Sequence, residues 1–227
     1  VGVALAFRQM VRRSEEEGAD RPDMTALGIE EGVVYEMVIV TLSPDGSPHA
    51  AAIGCTFLRD ADGWRALSKL ARGSVTSANL LRRGDAVLNV VDEEVLVEAA
   101  LDLGVVEMGF ERIEGLEVPA IRDAVAAIPV KARFLAQDDV WHRLELRPFS
   151  VHLGRGSRRP FTRSLAALVE AAVHASRIPV FERSDPARAE ELRLRVKELI
   201  SLAERLGPTY RVRAICGAIR RKYGIVD

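Results

Sequence analysis

Residues 33–41 read Val-Val-Tyr-Glu-Met-Val-Ile-Val-Thr, a run rich in β-branched side chains that stops at Ser43-Pro44-Asp45-Gly46-Ser47-Pro48. A run of this kind ahead of a Pro/Asp/Gly cluster predicts a strand entering a hairpin. Residues 49–58 read as the returning strand, and Asp62-Gly63 predicts a second tight turn before a third strand over 64–70. The pattern then turns polar. A short helix is expected to start at Ser74 or Thr76 and to stop at Gly84, where glycine commonly ends a helix. Residues 86–91 read as a buried strand interrupted by Asn89. Residues 95–103 fit a helix and a strand about equally well, and 121–128 predict a short helix. Two further strands are expected over 130–137 and 140–153, around Asp138-Asp139. Three helices follow, over 162–176, 186–206 and 210–223, the second announced by the capping sequence Ser184-Asp185-Pro186. Strands first and helices last argue for an α+β chain. We divide it into a helical extension and linker (1–28, with a charged helix over 1–18), a β-rich body (29–154) and a helical subdomain (155–227).

Composition narrows the picture. The chain has 227 residues, 48% hydrophobic and 29% charged, which describes a globular fold large enough for a proper core. Its net charge of −1 conceals an asymmetry. Residues 155–227 carry 16 Lys/Arg against 8 Asp/Glu, a net of +8, and the remainder carries −9. Either the two parts bind each other or the tail has an anionic partner. Cys55 and Cys216 are the only cysteines and have no CxxC spacing, as expected of a reducing, cytoplasmic setting. The apolar start of the chain is broken at Arg8, too early for a membrane span.

His49, His142, His152 and His174 are scattered. No His/Cys/Asp cluster has metal-ligand spacing, and neither G-x-G-x-x-G nor a P-loop occurs. The segment Arg72-Gly73-Ser74-Val75-Thr76-Ser77-Ala78-Asn79 stands out. A guanidinium, several hydroxyls, a glycine and the free amides of a helix start are the components of a phosphate site. A plain helix cap has the same composition.

The order strand, turn, strand, turn, strand, Ser/Thr-rich helix start, Asn-bearing strand resembles the FMN-binding split β-barrel proteins related to flavin reductases. More narrowly it resembles their largely archaeal branch known as domain of unknown function 447. The resemblance rests on Tyr35-Glu36-Met37-Val38-Ile39-Val40-Thr41, on Asp45-Gly46-Ser47-Pro48-His49-Ala50-Ala51-Ala52-Ile53-Gly54, and on Gly73-Ser74-Val75-Thr76-Ser77-Ala78-Asn79-Leu80. It continues in the tail through Pro160-Phe161-Thr162-Arg163 and 169–177. One departure is His49-Ala50-Ala51-Ala52-Ile53-Gly54, where the family usually has Asn-Ala-Ala-Pro-Ile-Gly.

The resemblance implies an antiparallel split β-barrel with a C-terminal helical subdomain, a homodimer, and FMN near the subunit interface. Ser74, Thr76 and Asn79 would hold the FMN phosphate, with Arg72 and Lys69 as cations. Thr41 and the backbone of residues 49–53, including His49, Ala51 and Ile53, would face the ring or ribityl chain, and Asn89 would meet a polar edge of the flavin. For Asn89 a buried amide serving neighbouring backbone is the equal alternative. The implied activity is an FMN-dependent oxidoreductase with a small-molecule electron donor or acceptor; a non-catalytic flavin carrier or sensor shares that architecture. In the tail, Arg163, Glu170, His174 and Arg177 fall along one helical stripe. They form either a second ligand site or an ion-pair network docking the basic helices on the acidic body. Nucleic-acid binding by the Arg-rich tail is the rival class, but the tail lacks interleaved aromatics and any base-reading motif.

Overall fold

The computed structural model describes residues 22–154, 160–175, 177–182 and 184–225. The helix expected over 1–18 and the basic junction at 155–159 lie outside them.

β1 (Val34–Leu42), β2 (Pro48–Asp60) and β3 (Gly63–Ala71) run as consecutive hairpins, followed by α1 (Val75–Arg83) and β4 (Asp85–Val90). Next come α2 (Glu93–Leu101) and the small hairpin β5 (Phe110–Glu111) and β6 (Ala120–Ile121). β7 (Ala126–Gln137), β8 (Trp141–Pro148) and β9 (His152–Leu153) complete the body. The strand order is β4-β1-β2-β3-β8-β7, and β7 pairs back onto β4, so six antiparallel strands close into a barrel. β9 adds to β7 over Ala126–Ala127.

The barrel follows from side-chain alternation. Tyr35, Met37 and Ile39 of β1 face inward with Ile53, Cys55, Phe57, Leu88, Ile128 and Leu144. Val38, Val40 and Leu42 face outward and are buried too, in a second cluster with Val87, Ala120 and Ile121 under α2 and the β5–β6 hairpin. Burial on both faces explains why β1 reads as a continuous apolar run. In the β1–β2 turn, Gly46 takes φ +83° and the Asp45 carboxylate accepts from the Ser47 amide and hydroxyl. These are the demands that selected Asp-Gly there.

The helix expected over 121–128 is absent. Ile121 closes β6, and Ala126, Ile128 and Val130 point inward from β7, which pairs with β4 from Val90↔Ala126 to Asp85↔Lys131. Barrel closure overrides the helix preference of the alanines. The ambiguous stretch at 95–103 is mostly helix, as α2.

Closure is incomplete at one place. β2 pairs with β1 from Pro48 to Thr56, whereas β3 pairs with β2 only from Thr56 to Asp60. Residues 48–55 of β2 therefore have no strand partner on their second edge among the described residues. Past this point β3 turns to β8, and the Ser68 hydroxyl, donating to the Gly54 carbonyl at 2.7 Å, is what still ties the two across the split.

The tail forms α3 (Arg163–Ala175), α4 (Ile178–Phe181), α5 (Pro186–Leu206) and α6 (Tyr210–Tyr223). They share a core of Ala171, Ile178, Val196, Ile200, Ala203 and Cys216. The stretch Arg163–Phe181 is long and apolar enough to cross a membrane by length and composition alone. Here it breaks into α3 and α4 and contributes Ala167, Leu168, Ala171, Ala175 and Ile178 to that core. The subdomain meets the barrel at β1, where the Glu36 amide donates to the Phe161 carbonyl (2.8 Å) and Arg163 Nε donates to Glu36 Oε1 (2.7 Å).

Candidate functional site

α1 plugs one end of the barrel at the split. It has nine residues, too few to be stable alone. Three side-chain pairs pin it to three strands. Asn79 Nδ2 donates to Thr41 Oγ1 of β1 (3.0 Å), Thr76 Oγ1 meets His49 Nε2 of β2 (3.2 Å), and Ser77 Oγ meets His142 Nδ1 of β8 (2.7 Å). His142 Nε2 lies 3.2 Å from Gln137 Oε1, which can only accept. In the neutral ring that places the proton on Nε2 and leaves Nδ1 to accept from the Ser77 hydroxyl. Thr41, Thr76, Ser77 and Asn79 are all buried. Burial of so many polar groups is tolerable because each has its partner.

What α1 presents outward is therefore narrower than composition implies. Ser74 caps the helix, its Oγ accepting from the Ser77 amide at 3.2 Å while its own O–H remains a donor. The first intrahelical bond runs from Ala78 to Ser74, so the Val75 and Thr76 amides, in the first turn, have no helical acceptor. Arg72 and Gly73 are exposed beside them, with Gly73 at φ +80°. Arg72 Nη1 donates to the Asp138 carbonyl at 3.0 Å, which fixes the guanidinium near the helix start. Two amides, one hydroxyl, one permanent cation and the positive end of a helix make an anion site. Beside it runs the unpartnered edge of β2.

The expected site residues thus separate. Arg72 and Ser74 stand at the mouth. Thr41, His49, Thr76 and Asn79 converge there as well, but as pins beneath it. Burial pushes the His49 imidazole below its ordinary pKa, so it is neutral at pH 7. Ile53 and Ala51 point into the barrel core, leaving only their backbone on the open edge; register puts Ala50, Ala52 and Gly54 on the other face. Lys69 is on the outer face of β3, opposite Arg143 of β8. Asn89 lies away from the mouth. It is fully buried, with Nδ2 donating to the carbonyls of Val38 (3.2 Å) and Val87 (3.0 Å) and Oδ1 accepting from the Ile121 amide (2.9 Å). Its amide is saturated by the protein, as in the second of the two readings open for it.

Of the tail stripe, the structure brings Glu170 and His174 together and turns Arg163 to the barrel. Arg163 reaches the barrel through Glu36, Glu170 and His174 face each other at 4.0 Å along α3, and Arg177 sits beyond the end of that helix. Nor do the basic tail and the acidic body match one another broadly. Among the described residues Arg163 is the tail cation paired with the barrel, and several others pair within the tail, as in Arg188–Glu191, Arg193–Glu190, Arg195–Glu198 and the bidentate Arg220–Glu204. Three residues of the plug, Ser77, His142 and Gln137, escaped the sequence reading. Ser77 lay inside the phosphate-like motif, while His142 and Gln137 carry no local signal.

An open cavity of about 250 Å³ lies between the β1–β2 turn and the β5–β6 hairpin, lined in part by Leu42 and Pro48, the register pair next to Thr41 and His49, and by Phe110 and Arg112.

The family model for the N-terminal domain of the protein of unknown function DUF447 matches residues 35–155, and that for its C-terminal part matches 162–214. The chain belongs to the DUF447 family. The two matched segments of this DUF447 protein correspond to the barrel and to most of the helical subdomain. No curated protein matches it. Among solved structures it is similar to an FMN-bound DUF447 protein from Methanosarcina mazei, with 24% identity, TM-score 0.49, and coverage of 88% of this chain and 99% of that one. It is also similar to the 2-nitrobenzoate 2-nitroreductase of Pseudomonas fluorescens (18% identity, TM-score 0.48, 56% of this chain and 68% of that one). A third is the styrene monooxygenase flavin reductase of Pseudomonas putida (11% identity, TM-score 0.46, 58% and 87%).

Proposed function

We propose that this DUF447 protein binds FMN and works as a flavin-dependent oxidoreductase, as a homodimer in the cytoplasm. The observation that carries the reading is the pinned start of α1, where Arg72, the Ser74 hydroxyl and the Val75 and Thr76 amides converge beside an open strand edge. That donor set fits a phosphomonoester dianion, which takes a guanidinium together with amide and hydroxyl donors. The family's FMN-bound member from Methanosarcina mazei accords with it.

Arg72 and Ser74 would hold the phosphate, with Lys69 as a more distant cation. The free edge of β2 at residues 48–55, including the backbone of Ala51 and Ile53, would lie along the ribityl chain or ring. Thr41, His49, Thr76, Ser77 and Asn79 serve this site by holding α1 rigid, so that its amides are oriented before the ligand arrives. The bound flavin supplies the redox chemistry. A single barrel leaves the split open on one side, and a second copy would cover it. The cavity bounded by Leu42, Pro48 and Phe110 would admit a small electron donor or acceptor.

The Arg-rich tail is the weaker candidate for nucleic acid, since it carries no base-reading motif and Arg188, Arg193, Arg195 and Arg220 already pair with neighbouring carboxylates. FMN titration followed by dialysis and absorbance spectroscopy tests the reading. Stoichiometric retention is expected, and Ser74→Ala should weaken FMN far more than riboflavin. Equal loss of both would show that the phosphate lies elsewhere, and a protein that retains no FMN would remove the reading altogether.

A further inference from the structure

The outer face of β3 and β8 carries a ladder of charges, most of them internally matched. Glu145, buried at the centre, receives Arg65, Arg133 and Arg147 at 3.2 to 3.3 Å, and Asp60 receives Arg147 at 2.9 Å and Arg65 at 3.3 Å. At the end nearest α1 cations outnumber carboxylates. Lys69 and Arg143 are directly opposite one another on neighbouring strands, a like-charge pair that costs stability unless something negative lies between. Arg72 adds a third cation, bonded to a carbonyl and not to a carboxylate. Among the described residues, the carboxylate within ion-pairing reach of any of the three is that of Asp138. It lies 3.7 Å from Arg143 and is held by the Val140 and Trp141 amides at 3.0 and 2.7 Å.

The next pair of the ladder is Ala71↔Trp141. Trp141 is 43% exposed and has no ring partner among the described residues. Trp64, by contrast, is buried, with Arg59 over its face and Phe57 against its edge. A bare indole across from an alanine leaves a flat aromatic surface open on the same face as Lys69 and Arg143. Two residues along a strand span about 7 Å, so cations and ring lie within the reach of one nucleotide.

We infer that this face is a binding site for a nucleoside diphosphate, with the phosphates on Lys69 and Arg143 and the base stacked on Trp141. Stacking on an exposed aromatic beside cations is how proteins hold bases without reading them. The site adjoins the start of α1. If the proposed flavin reading holds, the ligand is either a free nucleotide or the far half of a dinucleotide whose near phosphate occupies the Arg72–Ser74 site.

ADP titration of the full chain, followed by tryptophan fluorescence, reads this directly, because Trp64 is shielded and Trp141 is not. Saturable quenching by ADP is expected, with adenosine and inorganic phosphate each at least about tenfold weaker. Arg143→Ala should weaken ADP about tenfold, and Trp141→Ala should do the same by calorimetry, both side chains being exposed enough to leave the fold intact. Quenching that survives Arg143→Ala unchanged, or no saturable ADP binding, overturns the site. So does a single-stranded oligonucleotide whose affinity climbs with length and collapses with salt while ADP does not bind. FMN and FAD titrations separate the two sources. For a dinucleotide, FAD binds more tightly than FMN, and Arg143→Ala removes the difference without weakening FMN. For a free nucleotide, ADP still binds when FMN is saturating. Loss of FMN binding with ADP binding intact would remove the flavin reading and leave the nucleotide site standing.

Discussion

Asn89 offers the clearest test of how the barrel is held. Its amide joins β1, β4 and β6 through three hydrogen bonds of 2.9 to 3.2 Å with no exposure to solvent. Asn89→Leu conserves volume and removes all three. The two carbonyl bonds are worth about 1 kcal/mol each, and the Ile121 amide, left buried without an acceptor, costs about 1 to 3 kcal/mol more. The expected loss is therefore about 3 to 5 kcal/mol, a large share of the roughly 5 to 15 kcal/mol that stabilise a domain. Asn89→Asp separates the contributions. It keeps an acceptor for Ile121 but turns a carboxylate toward two carbonyl oxygens. It should be at least as damaging as Leu at neutral pH and should recover on mild acidification, as the carboxyl takes up a proton and regains a donor. Urea unfolding followed by circular dichroism measures both variants, with an unchanged m-value required for the comparison. A loss below about 1 kcal/mol for Asn89→Leu, or an Asp variant as stable as wild type at pH 7, would refute the bridging role. Weakened FMN binding at unchanged stability would return Asn89 to the flavin.

Other perturbations bear on docking, pH and the thiols. Arg163→Ala removes the ion pair with Glu36 but leaves the Glu36–Phe161 backbone bond. Because the Arg163 side chain is 54% exposed, urea unfolding should show a loss of less than about 1 kcal/mol, and a loss of several would mean the pair anchors the subdomain. Burial lowers the pKa of His49, so below about 6.5 the unfolded chain takes up a proton that the folded ring resists. Stability should accordingly fall as the pH drops from about 6.5 toward the folded pKa and be level above it. His49→Asn should flatten part of that slope in a urea-midpoint series, leaving the share due to His152, which is shifted the same way by burial. An unchanged slope would count against the assignment. Cys55 and Cys216 are wholly buried, and burial raises both thiol pKa values. A thiol reagent should label them only as fast as the protein opens, with urea accelerating the reaction; prompt labelling under native conditions would contradict their enclosure.

The contrast between the three opening strands and the site shows what a chain of this kind reveals unaided. β1 to β3 were legible because Asp45-Gly46 and Asp62-Gly63 are turn chemistry with a local cause, and β-branched runs on either side leave little else to form. Residues 121–128 were not. Their alanines prefer helix, and what makes them strand is pairing with β4, more than thirty residues earlier. The same limit governs the site. Arg72, Ser74, Thr76, Ser77 and Asn79 announce polar chemistry at a helix start, yet composition cannot say which of them face out. A nine-residue helix needs tertiary anchors, and on a barrel end those anchors are other polar groups. Thr76, Ser77 and Asn79 were thus claimed by His49, His142 and Thr41, residues between 27 and 65 positions away. Only Arg72, Ser74 and backbone amides remain for an anion. The charges of the tail follow the same logic in reverse. A surplus of +8 suggests an external partner or a grip on the acidic body, but it is blind to the three-residue spacings that let Arg188, Arg193 and Arg195 meet glutamates on their own helix. The nominally acidic barrel meanwhile gathers Lys69, Arg72 and Arg143 beside an exposed Trp141, with Asp138, 3.7 Å from Arg143, as the carboxylate in reach among the described residues. The barrel beside α1 is therefore a place to seek an anionic partner that the charge balance of the two halves does not point to.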